Sequence, residues 1–505
     1  MKIPRWYTFF AVTLMLPLVV TSGALGQQQP KYAANVPEFL LTPDKIPTQL
    51  LGDLEFVDGL PDESTVQKLY DFLDVSRGAE AFLLGIPASS VYAVLEGFKE
   101  AGMNPGDIGI FENLMDARSL FLTPNSTTLY VMLEADVKDG PVVLEVPPGV
   151  LGPVDDAYFR FVTDMGLTGP DKGKGGRYLL LHRDYDGEIP DGYFVARTPT
   201  YRNLVFFRAL AKDGDFQGTA AAVKSRARSY PLSMAENPPE QRFVNLSGMK
   251  MNTIHANDFH FFEELNAVIQ YEPADAFDPE IIGVFASIGI KKGQPFEPDA
   301  RMKKLLTEAV AIGNGAARAI AFRPRKPGVF FYEDRQWNSP FAGMSHEFID
   351  NGERVLDDRV FFHYIATGIT PAMAAPKVGE GSVYGFTVTD SEGRYLDGGK
   401  TYKVDMPHPV PAKDFWSFMV YSNQHRSMLE TDQKLAGLDS TLPSVKANDD
   451  GSYTMWFGPK APAGHEGNWI QTMPGKGYGV LLRLYGPLEP WFDKSWKPGD
   501  FNLVE

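Results

Sequence analysis

Two polar clusters in this 505-residue chain hold side chains that can grip a ligand or move a proton. The first is Asn113-Leu114-Met115-Asp116-Ala117-Arg118, followed by Thr123-Pro124-Asn125-Ser126-Thr127-Thr128-Leu129-Tyr130. Its hydroxyl, amide and guanidinium groups either orient a polar ligand or saturate backbone groups in a tight turn. The second runs from Asp164 through Gly169-Pro170-Asp171-Lys172 to Arg177, with Arg197, Thr198, Tyr201 and Arg208 beyond it. Arg197 and Arg208 have the planar fork that clamps a carboxylate with two hydrogen bonds, and they suit equally well an ion pair with Asp164 or Asp171. Asp164 with Tyr130 or Glu134 is the candidate acid–base set. Trp469 beside Asn468, and Arg483 beside Tyr485, put an aromatic face next to amide and guanidinium donors, an arrangement suited to a sugar ring or an aromatic acid. The plain alternative is a Trp469 that plugs the end of a β-sandwich and an Arg483 capped by an acidic neighbour. The candidate ligand contacts are thus Arg118, Asn125, Thr127, Tyr130, Arg197, Tyr201, Trp469 and Arg483. Four of them stand at the start of one strand and Arg197 and Tyr201 at the end of another, positions that can share one rim of an antiparallel sandwich.

Familiar catalytic motifs are missing. Gly343-Met344-Ser345-His346-Glu347 lacks the last glycine of a nucleophile elbow, and His346-Glu347 is followed by Asp350 rather than a second histidine. Gly313-Asn314-Gly315 lies in a helical stretch with no strand before it, which defeats a dinucleotide fingerprint. Lys172-Gly173-Lys174-Gly175-Gly176 does not match a P-loop. His255, Asp258 and His260 lack a fourth ligand, so helix capping explains them better than a metal does. No metal and no cofactor is expected. His363 reads as a hydrogen-bonded core histidine rather than a catalyst, and Asp357-Asp358-Arg359 as a solvated helix face.

The elements that must position these residues are mixed. Ser64-Thr65-Val66-Gln67 fits a capping box ahead of Leu69, Phe72 and Leu73, and a second helix with Val91, Leu95 and Phe98 on one face should end before Gly102. Short apolar runs then predict strands over 129–135, 142–146, 158–163, 178–182 and 192–197. Asp139-Gly140, Pro147-Pro148-Gly149 and Asp186-Gly187 between them suggest antiparallel pairing. Helical periodicity returns over 218–235, 258–271, 301–322 and 353–367. Strands resume at 414–421, 453–457, 469–472 and 480–485, with Ser391-Glu392-Gly393 as a hairpin tip and Trp416 in the core. The expected fold is α+β, with β-rich modules at 61–215 and 381–505 joined by a helical middle at 216–380. Residues 27–60, polar and proline-spotted, read as a draped arm.

Lys2 and Arg5, the uncharged apolar run Thr8–Val20, and Ala24 and Gly26 before Gln27 have the layout of a cleavable leader over 1–26. The mature chain is therefore expected to be soluble and periplasmic or secreted, with no membrane span once the leader is gone. The formal charge is −16, and loss of Lys2 and Arg5 leaves 46 basic against 64 acidic residues, or −18. Such a field repels phosphate backbones, so nucleic acid is not the expected partner. With no cysteine, thiol nucleophiles, thiolate metal sites and disulfide staples are excluded.

Thr123–Tyr130, Gly140–Pro147 and Gly173–Leu179 resemble the 1254-type domain of unknown function. Leu396-Asp397-Gly398, Phe415-Trp416-Ser417, Tyr421, Asn468-Trp469-Ile470 and Arg483-Leu484-Tyr485-Gly486-Pro487 resemble the 1214-type domain that commonly accompanies it, with Trp496 and Pro498 where that family closes. The charged Asp171-Lys172 departs from the usual loop before Gly175-Gly176. The resemblance implies a bacterial, often exported protein of two antiparallel jelly-roll-like β-sandwich modules with helices between them, and it supplies no biochemical role. Three accounts of function follow. The first is a binder of a polar small molecule or glycan in a cleft of the β-rich domains. The alternatives are a thiol-independent hydrolase or lyase using carboxylate and tyrosine chemistry, and a structural envelope protein.

Overall fold

The computed structural model describes residues 32–211, 214–339 and 341–504; the leader expected over 1–26 lies outside them. The described chain divides into two compact units, one up to Leu69 and one from Tyr70 onward. In the first, Lys45–Thr48, Gly52–Val57 and Leu60–Pro61 form a three-stranded antiparallel sheet where a draped arm was expected. The signal was present in Asp58-Gly59. Both residues take positive φ (49° and 78°), which makes the two-residue turn whose twist matches a hairpin.

Helix Glu63–Glu100 is one continuous element of 38 residues, not two. Its cap is Asp62, whose carboxylate accepts the Thr65 N–H at 2.7 Å, while the Thr65 hydroxyl accepts from the Glu55 N–H. Pro87 deletes one backbone donor inside it. Burial of Phe82, Ile86, Val91, Leu95 and Phe98 outweighs that loss, so packing overrides the local break. The helix is long and apolar enough to span a bilayer, but most of its apolar window is buried in the protein.

The α+β class is as expected. A six-stranded sheet runs in the spatial order Phe243–Asn245, Ile108–Ile110, Leu129–Asp136, Arg202–Ala209, Val150–Asp156, Phe161–Gly166. A four-stranded sheet has the order Phe194–Thr198, Gly176–His182, Val142–Val146, Arg228–Pro231. Val131, Leu133, Val205 and Phe207 of the first share one buried cluster with Leu144, Tyr178 and Leu180 of the second. Near the C-terminus, Ser382–Thr387, Tyr478–Pro487, Ala412–Ser422 and Gly437–Asp439 form another four-stranded sheet. Trp469–Gln471, Tyr453–Gly458, Tyr402–Met406 and Asn502–Leu503 form a second.

Several local expectations change. Gly176–His182 pairs with Phe194–Thr198 in parallel, so Asp186-Gly187 is not a hairpin. Asp139-Gly140 and Pro147-Pro148-Gly149 carry the chain between sheets rather than between paired strands. The helix expected over 218–235 stops at Arg226, because Ala227 turns extended (φ −69°, ψ 132°) and Arg228–Pro231 becomes an edge strand. Several strands were not anticipated, among them Val150–Asp156 and Arg202–Ala209, both inside the six-stranded sheet. Their Asp155-Asp156, Arg202 and Arg208 interrupt the apolar pattern that marks a buried strand. Asp358 and Arg359, read as solvated, are buried on helix Leu356–Ile365.

Close backbone approach fixes where helix Glu63–Glu100 lies. A Cβ at Gly97 would sit 2.2 Å from the Asn252 carbonyl oxygen, whereas Gly315 on helix Ala300–Phe322 faces open space. Gly97→Ala is expected to cost about 1–3 kcal/mol of stability, and Gly315→Ala to add up to about 1 kcal/mol. Urea denaturation of both variants checks this, and equal effects at the two sites would contradict the packing described.

Candidate functional site: a cavity between the two β-rich regions

Alternation along two interior strands builds the site. On Arg202–Ala209, Val205, Phe207 and Ala209 face the core shared with the neighbouring four-stranded sheet. Leu204, Phe206 and Arg208 point the other way. Arg208 lies opposite Tyr130 in the sheet register, so Tyr130 shares its face. On Tyr478–Pro487, Leu481 and Arg483 share a face, with Arg483 opposite Tyr384. These two faces bound a cavity of about 110 Å³, walled mainly by apolar side chains such as Phe121, Phe341, Phe362 and Phe386.

Neither arginine has a counter-ion among the described residues. Arg483 is 4% exposed; its Nη2 donates to the Thr123 carbonyl at 2.8 Å, and its Nη1 is buried with no partner. Arg208 retains some accessible surface, and its side chain has no hydrogen-bond or ion-pair partner among the described residues. Their neighbours are the phenols of Tyr130, Tyr384 and Tyr485, with Tyr421 also beside Arg483. Neither arginine pairs with Asp164 or Asp171. Asp171 instead accepts from the Gly166 and Gly175 N–H groups and from the Tyr178 hydroxyl. The Asp164 carboxylate, in the cavity wall, accepts the Thr370 hydroxyl at 2.7–2.8 Å. Burial pushes its pKa above the ordinary carboxylate value, against the opposing effects of Thr370, Thr168 and His346.

The polar run before Tyr130 serves two purposes. Asn125 Oδ1 accepts from the Thr127 and Thr128 N–H groups, each at 3.0 Å, closing a tight turn. Asn125 also donates its own N–H and Nδ2 to the Tyr130 hydroxyl. Burial raises the Tyr130 pKa, so the phenol keeps a proton to donate. The same run ties the two regions together. Tyr421 donates to the Pro124 carbonyl at 2.6 Å, the Thr123 N–H donates to the Arg426 carbonyl, and Thr127 bonds Tyr485. Thr123, held between Arg483 and Arg426, takes a positive φ of 38°, an uncommon backbone state for a β-branched residue.

Of the residues singled out from sequence, Asn125, Tyr130, Asp164 and Arg483 meet in this cavity together with Arg208. Thr127 is not in its wall; it bonds Tyr485, whose phenol lies beside both arginines. The others lie elsewhere. Arg118 forms a two-bond pair with Asp116, and Glu134 pairs with Arg202. Arg197 Nη1 donates to the carbonyls of His182, Arg183 and Tyr185 and acts as a loop clamp. Tyr201 packs against His182 and Tyr271, and Trp469 Nε1 donates to the Gly458 carbonyl. Tyr384 and Thr370 were missed; a tyrosine in a strand and a threonine before Pro371 carry no signal of their own. His363 is buried as expected, but its Nδ1 has no partner, and burial together with Arg359 lowers its pKa to about 3.

Residues 105–231 match the family model "Protein of unknown function (DUF1254)", and residues 381–489 match "Protein of unknown function (DUF1214)". The chain carries both domains. In these terms Tyr130, Asp164 and Arg208 belong to the DUF1254 region, and Tyr384 and Arg483 to the DUF1214 region. No curated protein matches the sequence. Among solved structures, the VPA0106 protein of Vibrio parahaemolyticus is similar in fold, with a TM-score of 0.54 at 18% identity, covering 86% of this chain and 100% of that one. An uncharacterized protein from Burkholderia cenocepacia aligns over 86% of this chain and 96% of its own, at 12% identity and a TM-score of 0.38, too low to argue from.

The raised Asp164 pKa sets a pH test. The folded state holds this proton at pH values where the unfolded chain has released it, so the group's contribution to stability falls as pH rises from about 4 through the folded pKa. Asp164→Asn keeps an acceptor for Thr370 and removes the titration. The melting temperature of the variant relative to the parent should be near zero difference below pH 4 and increasingly positive toward pH 7. A difference independent of pH would show that the carboxyl is not destabilised by its site.

Proposed function

We propose that this exported protein binds a small organic carboxylate in the cavity between its two sandwich-like β domains. The observation that carries the reading is the pair Arg208 and Arg483, two guanidinium groups without a carboxylate partner that line one apolar cavity. Holding cations in such a place is costly unless an anion joins them, and a planar carboxylate matches the guanidinium fork. Tyr130, with its proton free to donate, adds a neutral donor for the same anion. Phe206, Phe341 and Phe386 offer walls for a short apolar body. A volume of about 110 Å³ suits a ligand of about half a dozen non-hydrogen atoms and is too small for a glycan. The shared buried clusters of facing sheets support the sandwich reading, and the basic-then-apolar leader supports export.

Asp164 favours a second reading, in which the bound acid is also transformed. A carboxyl whose pKa burial raises, lining the same cavity as two cations, is placed to act as a general acid. That is the hydrolase or lyase account, with Asp164 rather than Glu134 as the acid. Recovery of each candidate acid unchanged after long incubation would leave binding alone.

Calorimetric titration with a panel of short aliphatic monocarboxylates, each beside its neutral amide, tests the proposal. At least one acid should bind and its amide should not. Arg208→Met should weaken that binding roughly ten- to hundredfold. It should also raise the melting temperature of the ligand-free protein, because it removes a desolvated charge that no protein group neutralises. A lower melting temperature with no acid bound by the parent would mean that Arg208 is structural.

A further inference from the structure

Beside this cavity lies a larger one of about 300 Å³ that shares none of its lining residues. Helix Leu356–Ile365 stands between them, with Phe362 and Ile365 on the first cavity and Arg359 and His363 on the second. Three guanidinium groups line the second space. Arg359 is 5% exposed, and its Nε and Nη2 are buried with no partner. Arg354 is solvent-exposed, and its side chain has no hydrogen-bond or ion-pair partner among the described residues. Arg160 is paired through Nε with Asp156 at 2.6 Å, which leaves its Nη2 buried and unpartnered. Two acids, Asp278 and Glu347, also line the space, and neither pairs with these arginines among the described residues. Asp278 is exposed and caps the Glu280 N–H, and Glu347 is exposed without an ion pair among the described residues. His363 is neutral at this depth and adds no charge.

We infer that this second cavity is a separate binding site for a doubly charged oxyanion carried on an aromatic body. Two unpaired guanidinium groups at different depths, with a third offering a free N–H, match an anion with several acceptor oxygens and a charge near −2. The remaining walls include Tyr158, Phe161, Phe277 and Phe348, whose ring faces and edges suit a flat aromatic group. The space is nearly three times that of the first cavity, so the body is correspondingly larger. Nothing in this argument depends on what the Arg208–Arg483 cavity binds.

Phenyl phosphate is the probe, with inorganic phosphate and phenol as its two halves. Titrations followed by ligand-observed NMR and calorimetry should show saturable binding of phenyl phosphate to the parent, and binding at least tenfold weaker for each half. Arg359→Met should weaken phenyl phosphate at least tenfold, Arg359→Lys less, and Arg208→Met not at all, which separates this site from the first. Arg354→Ala, at an exposed position that cannot unfold the protein, should weaken it severalfold and decides the matter if Arg359→Met does not fold. No saturable binding to the parent, or equal affinity in the parent and the Arg354→Ala variant, overturns the inference. So does a loss caused equally by Arg208→Met.

Discussion

Strand Arg202–Ala209 is buried on both faces, and most of the molecule is arranged around that constraint. A strand that loses water on two sides must find an apolar partner for each. One face takes the neighbouring four-stranded sheet, through Val205 and Phe207. The other, through Leu204 and Phe206, joins a cluster that also holds Phe82, Phe261 and Leu306 from the helices and Met419 and Leu481 from the C-terminal sheet. Arg208 rides on this second face. A guanidinium there has nowhere to go but into the seam where the two regions meet, and the seam opens into a cavity around it.

The C-terminal region answers with the same device. Tyr478–Pro487 lies between Ser382–Thr387 and Ala412–Ser422, and it too puts an arginine on the inward face. Two like charges are thereby brought to one apolar space, where each disfavours the other. Hydrogen bonds to Thr123 and the surrounding phenols soften that cost without neutralising it. The strained Thr123, held from both sides by groups of the C-terminal region, marks how firmly the seam is clamped. Stability given up at such a place is the usual signature of a site kept ready for a ligand.

How far the site could be read from the sequence differs residue by residue. Asn125 and Tyr130 stand in a turn followed by an alternating strand, so local chemistry pointed to them. The turn and ligand readings of that run are both met in part, since Asn125 closes the turn and also orients the Tyr130 hydroxyl. Arg118, Arg197 and Trp469 looked equally promising, but each spends its donors close by in sequence or within its own sheet. Spacing along the chain carries no information on whether a guanidinium already has a partner. Pro87 failed to break its helix for a related reason: a local preference worth about 3 kcal/mol yields to the burial of several large side chains.

The sequence by itself determined the α+β class and the place of several strands and helices along the chain, but not which strands pair. Period-2 alternation and helical stripes are local patterns that local sterics and solvation favour, whereas turn residues such as Asp186-Gly187 mark a change of direction without choosing the strand that pairs next. It also set the chemistry on offer, with no thiol and many arginines, tyrosines and carboxylates. Which of these groups meet was decided only by tertiary structure. Arg208 and Arg483 are 275 positions apart, and their shared cavity exists because two strands buried on both faces had to be covered by each other's regions. The strand carrying Arg208 escaped notice because a charge in its apolar run breaks the pattern that identifies buried strands. A residue that violates the folding pattern is visible in sequence only as an interruption, and its purpose appears once the face it occupies is known.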